Sequence, residues 1–161
     1  MFERTKHPTL IVFHCSDTED GPGNNTKAIR EYHISHNGWD DIGYHFVLER
    51  LQNSYVLFPG RSPKFIGAHA AGHNHESLGV CIVGKYENEV PDQAFSAAVS
   101  ALAMLCLMYG LDAESIKGHR ELSGSKGKTC PGAAWDLDRL RRHVAVYLNR
   151  LRAEGMRLVS A

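Results

Sequence analysis

Apolar and polar positions fall into short blocks along the chain, and their period changes from block to block. "TLIVFHCS" is a β-branched apolar run giving way to polar "SDTEDG", and predicts a buried strand that ends at the surface. "GNNTKAIREYHISH" places Ile29 and Tyr32 at helical spacing behind Asn24 or Asn25, either of which can cap a helix. "YHFVLER" and "YVLFPG" flank "LQNS" as the arms of a hairpin, and "SLGVCIVGKY" predicts another buried strand. "PDQAFSAAVSALAMLCLMYG" predicts a long helix, with Pro91 near its start and Gly110 as its stop. "SIKGH" predicts a short last strand. From Trp135 to Arg152 a helix carries Leu137, Leu140, Val144, Leu148 and Leu151 on one stripe. Strands interleaved with helices predict an α/β fold, a sheet covered by helices, with strand order and direction left open.

Composition narrows the classes of function. The chain has 161 residues, enough for one domain with one sizeable core, and shows no repeat or interdomain linker. Its 18 basic and 18 acidic residues cancel, which argues against a nucleic-acid partner. There is no apolar run of membrane-spanning length, and "MFERTKHPTL" lacks the apolar stretch of a signal peptide. The expectation is a soluble protein made in the cytoplasm without a signal peptide. Four cysteines, at 15, 81, 106 and 130, form no C-x-x-C pair. Cys81 and Cys106 lie in apolar runs and read as inert core residues.

Cys130 is different. It stands in "GHRELSGSKGKTCPG", a loop rich in Gly, Ser and Lys, where a free thiol has no packing use. It can be a metal ligand, with His119 as a second. Strand alternation puts His14 and Cys15 on opposite faces, so that one points to the core and the other to a site at the strand's end. His14 is the third candidate. Two imidazoles and a thiolate suit zinc with a fourth position open for water, although each residue alone has an ordinary structural reading.

Four segments, in order, carry a resemblance: "FHCS", "GWDDIGYHFVLER", "GAHAAGHNHESLGVCIVG" and "GHRELSGSKGKTCPG". Together they resemble the zinc-dependent N-acetylmuramoyl-L-alanine amidases, which include phage lysozymes of amidase type and the peptidoglycan recognition proteins. The resemblance implies a single catalytic domain over residues 1–161, with a central mixed sheet flanked by helices and no separate wall-binding domain. It implies Zn2+ as cofactor, with His14, His119 and Cys130 as ligands. It implies Tyr44 and Lys128 as catalytic residues, Lys126 competing with Lys128, and His69 and Asn74 as substrate contacts. His73 and His75 are left as solvated loop residues, and the contiguous "HNH" as coincidence. The loop between His119 and Cys130 is longer than in the phage type.

The implied function is hydrolysis of the amide between the lactyl group of N-acetylmuramic acid and L-alanine. The implied partner is peptidoglycan, acted on by a monomer after release to the wall, as a phage or prophage endolysin helped by a holin. The alternatives are a wall-recognition module that does not cut and, further off, a polymerase-binding regulator. Arg139, Arg141, Arg142, Arg150, Arg152 and Arg157 read as the solvated face of the last helix, or as a surface for anionic wall polymers.

Overall fold

Alternate residues of the apolar strands face opposite ways, and the fold uses both faces. In a computed structural model describing residues 1–19, 21 and 23–159, with side chains to Gly155, five strands form one sheet. They are β1 (Leu10–Cys15), β2 (Phe46–Leu51), β3 (Ser54–Pro59), β4 (Ser77–Ile82) and β5 (Ile116–Gly118). The order is β3-β2-β4-β1-β5. β1 runs parallel to β4 and β5, β4 runs parallel to β2, and β2 and β3 pair antiparallel. The sheet is thus mixed, as the resemblance implies.

Three α-helices cover it: α1 (Thr26–Ser35), α2 (Asp92–Tyr109) and α3 (Leu137–Val159). Ile11, Phe13, Leu78, Val80 and Ile82 point to one face, where they pack with Leu102 and Leu105 of α2 and Leu140, Val144 and Leu148 of α3. Each such side chain contributes about 1.5–3 kcal/mol by leaving water. The opposite face holds a smaller cluster of Ile42, Val47, Cys81 and Val83, with Ile29 of α1 and Tyr44 against it. His14 belongs to this second face, because its neighbours Phe13 and Cys15 are committed to the first.

Local signals set the helix ends. Asn25 Oδ1 accepts the Ala28 N–H at 2.9 Å and caps α1. Gly110 closes α2 at φ 62°, a conformation that suits a residue without Cβ. Tyr32 departs from expectation: it is exposed and stacks on His36, leaving Ile29 as the α1 residue packed against the smaller cluster. The last helix begins at Leu137 and runs beyond Arg152 to Val159, while the Arg157 side chain lies outside the described residues.

Trp135, 1% exposed, ties the two ends of the large core. Its ring meets Phe13 edge-on at 4.9 Å, Tyr86 at 5.6 Å and Phe95 at 6.1 Å between centroids. Trp135→Ala is expected to cost about 3–5 kcal/mol. At roughly 2–4 °C per kcal/mol for a chain of this size, the thermal midpoint should fall by about 10 °C. Trp135→Phe should cost less, because it also removes an indole N–H that is buried without a partner among the described residues. Thermal unfolding of the two variants checks both expectations.

Candidate active site

β1 lies between parallel neighbours, and the carboxyl ends of such strands open a crevice suited to ligands. Phe13 pairs with Gly118, so the residues just beyond them, His14 and His119, emerge side by side. Their rings are 4.6 Å apart. A single turn of 3₁₀ helix, His119–Glu121, carries the second histidine. It is pinned by the Gly118 N–H donating to Glu121 Oε2 at 2.8 Å, and Arg141 holds the same carboxylate at 2.8 and 3.0 Å.

Arg120 brings in the third residue. Its N–H donates to the Cys130 carbonyl at 2.9 Å. Its guanidinium donates to the carbonyls of Thr129, Gly132 and Trp135 at 3.1, 2.6 and 2.6 Å. The long loop is therefore clamped at its far end onto the turn that carries His119, across the cis Cys130–Pro131 bond. The clamping role of Arg120 is not announced by the sequence, because its partners are carbonyls that any residue supplies.

Donor atoms of His14, His119 and Cys130 lie within 4.8 Å of one another. Zinc bonds of about 2.0–2.3 Å put tetrahedral donors about 3.3–3.6 Å apart, so small side-chain rotations close the set on one ion. Cys130 Sγ is 3.6 Å from His14 Nδ1, so Nδ1 is the nitrogen that faces the thiol. Burial, and then His119 and Lys128, hold His14 well below the imidazole range. Burial and Lys128 lower His119 to about 4. Both rings are neutral near pH 7, so each has one bare nitrogen able to bind a metal; in His119 that nitrogen is Nε2, which here faces the Lys128 ammonium. A hydrogen bond with Cys15, followed by burial, raises the Cys130 thiol, and a bound cation reverses that preference by taking the thiolate. The donor set fits zinc.

Tyr44 and Lys128 flank the same point. The Tyr44 ring is 5.2 Å from that of His14. Burial, with the thiols of Cys81, Cys130 and Cys15, pushes its phenol well above the ordinary range, so it stands as a hydrogen-bond donor. Lys128 Nζ lies 3.1 Å from His119 Nε2, and of the two candidate lysines it is the one in contact with the histidine. A cleft of about 460 Å³ opens beside Tyr44, between the end of β1 and α1. His33 lines it and was missed by sequence reading. Its Nδ1 accepts the Gly43 N–H at 3.0 Å, which leaves the ring proton on Nε2.

The segment "GAHAAGHNH" resolves into separate jobs. Asn74 Oδ1 accepts the N–H groups of His69 and Ala70 at 2.9 and 2.8 Å, so that oxygen folds its own loop. His69 turns inward, its Nδ1 3.1 Å from His14 Nε2. His73, expected to be solvated, instead sits between Glu76 Oε1 at 2.7 Å and Ser123 Oγ at 2.8 Å. It links this loop to the one carrying Lys128. His75 is exposed, as expected. Several helix arginines are likewise engaged: Arg139 lies over the Phe95 ring, Arg141 on Glu121 and Asp138, and Arg152 on Asp112.

Fold and site together define an α/β domain with a His–His–Cys centre at the carboxyl end of its parallel strands. The chain belongs to the N-acetylmuramoyl-L-alanine amidase family, whose sequence profile matches residues 4–133. It is 31% identical over 144 residues to the endolysin of Escherichia phage T7, covering 86% of this chain and 88% of that protein. It is 37% identical over 123 residues to the N-acetylmuramoyl-L-alanine amidase of Homo sapiens, covering 74% of this chain and 20% of the human protein. The N-acetylmuramoyl-L-alanine amidase LysC from Clostridium intestinale URNW shares the fold, with a TM-score of 0.70 over 84% of both chains at 23% identity.

Proposed function

We propose that this chain is a zinc-dependent amidase that cuts peptidoglycan between the lactyl carbonyl of N-acetylmuramic acid and L-alanine. The observation that carries the reading is the convergence of His14, His119 and Cys130 beside a protonated Tyr44 and the Lys128 ammonium. Zinc in such a centre supplies Lewis-acid polarisation of the amide carbonyl and acidifies a water. His14, His119 and Cys130 would hold it. Lys128 places a positive charge where the carbonyl oxygen becomes negative. Tyr44 donates a hydrogen bond that orients the attacking water, or passes a proton towards the leaving amine. His33 and the cleft beside Tyr44 give the stem peptide or sugar a polar wall.

The whole chain serves as one catalytic unit in this reading, because α3 completes the core and Arg141 braces the His119 turn. Phage endolysins that it matches over most of both lengths support action on the cell wall after release. Digestion of purified peptidoglycan, with mass spectrometry of the products, tests the proposal. The native protein should release stem peptides that begin with L-alanine, stop after metal is stripped by a chelator, and resume when zinc is restored. Wall binding without cleavage at full zinc occupancy would make it a recognition module instead.

A further inference from the structure

We propose that His69 is a positioning residue for the metal ligand His14, holding its ring in orientation through the contact between His69 Nδ1 and His14 Nε2. The inference rests on the zinc reading above and deepens it. His14 has two sides: Nδ1 faces the Cys130 thiol at 3.6 Å, and Nε2 faces His69 Nδ1 at 3.1 Å. The two rings are nearly perpendicular, at 84°, so the nitrogen of one meets the edge of the other.

One proton is shared along the His14–His69 contact, and two neutral arrangements exist. In one, His14 carries its proton on Nε2 and donates to His69 Nδ1, leaving His14 Nδ1 bare for a metal. His69 then carries its own proton on Nε2. In the other, His69 Nδ1–H donates to His14 Nε2, and His14 Nδ1 bears a proton that closes it to a metal. A ligating histidine is commonly fixed in this way by the acceptor behind it. Here the acceptor is a second imidazole rather than a carboxylate or carbonyl.

His69 has no competing task in the fold. Its Nε2 is buried and has no hydrogen-bond partner among the described residues. The nearby His45 cannot supply one: its Nδ1 takes the Gly79 N–H at 2.9 Å, and its Nε2 lies 3.1 Å from the Phe65 carbonyl. The ring is wedged in a slot made by two glycines. A Cβ on Gly67 or Gly79 would stand 2.5 or 2.4 Å from His69 Cδ2. Neither imidazole nitrogen is therefore offered to the cleft.

The test compares zinc affinity, by competition with a chelating dye, for the native protein, His69→Leu and His69→Asn. Asparagine can return an acceptor near the position of Nδ1, and leucine cannot. His69→Leu should bind zinc about 10–100-fold more weakly. His69→Asn should recover most of that loss. Nitrogen-15 spectra of His14 in the zinc-loaded proteins should show the Nε2–H hydrogen bonded in the native protein and in His69→Asn, and freed in His69→Leu. Thermal midpoints of the zinc-free variants control for folding. A folded His69→Leu protein with native affinity and an unchanged His14 spectrum would overturn this inference alone. Zinc bound with native affinity while peptidoglycan stays uncut would overturn the amidase reading alone. A native protein that takes up no zinc would overturn both.

Discussion

A Cys130→Ala protein is expected neither to bind zinc stoichiometrically nor to cleave peptidoglycan. Alanine leaves two neutral imidazoles, and Cys130 is the one donor of the three that brings negative charge to the ion. Metal activation of water and carbonyl lowers a hydrolytic barrier by several kcal/mol, so the rate should fall at least about 10³-fold. The fold should survive, since Cys130 sits at the margin of the large core and its loop is held by Arg120 through carbonyls. Metal analysis, cleavage rate and thermal unfolding on the same preparation check the three parts. Full activity in a zinc-free variant would contradict the assignment.

Lys128→Ala is expected to keep zinc and lose turnover. The ammonium contacts His119 without being a metal donor, and in the proposed mechanism its charge stabilises the developing oxyanion. Removing one such group typically costs about 3–4 kcal/mol, or roughly 10²–10³-fold in kcat. KM should change little, because the interaction strengthens only as the carbonyl oxygen becomes negative. Lys126→Ala is the internal comparison and should stay close to the native rate. If Lys126→Ala carried the loss instead, the loop would present the other lysine during catalysis. Steady-state kinetics on a soluble muropeptide separates these outcomes.

Much of this arrangement can be read from local pattern. Alternation along "LIVFHCS" separates His14 from Phe13 and Cys15, and the fold sends them to opposite faces of the sheet. The stop at Gly110 and the stripe from Leu137 to Leu148 are short-range signals and hold in the structure. Strand order was not readable, because placing β1 between β4 and β5 depends on pairings far apart in sequence. Tyr32 kept helical spacing yet turned to solvent, since α1 covers only a small apolar cluster with room for Ile29.

The candidate site divides in the same way. His14, His119, Cys130, Tyr44 and Lys128 are chemically distinctive, and the fold brings them together. The residues that hold them carry no such signal. Arg120 acts on backbone carbonyls, His33 on a backbone N–H, and His73 on a serine 50 positions away. The inward direction of the His69 ring carries no local signal either. That direction depends on glycines at 67 and 79, the second of them on a different strand from His14, leaving a slot for its ring.

In the proposed reaction water attacks the lactyl carbonyl, and digestion of purified peptidoglycan in ¹⁸O-enriched water shows where that oxygen goes. Mass spectrometry of both product classes should find the heavy oxygen in the new lactyl carboxylate of the glycan and none in stem peptides that begin with a free L-alanine amine. Label at a sugar anomeric carbon, or in a carboxylate within the stem peptide, would place the cut at another bond and contradict an amidase.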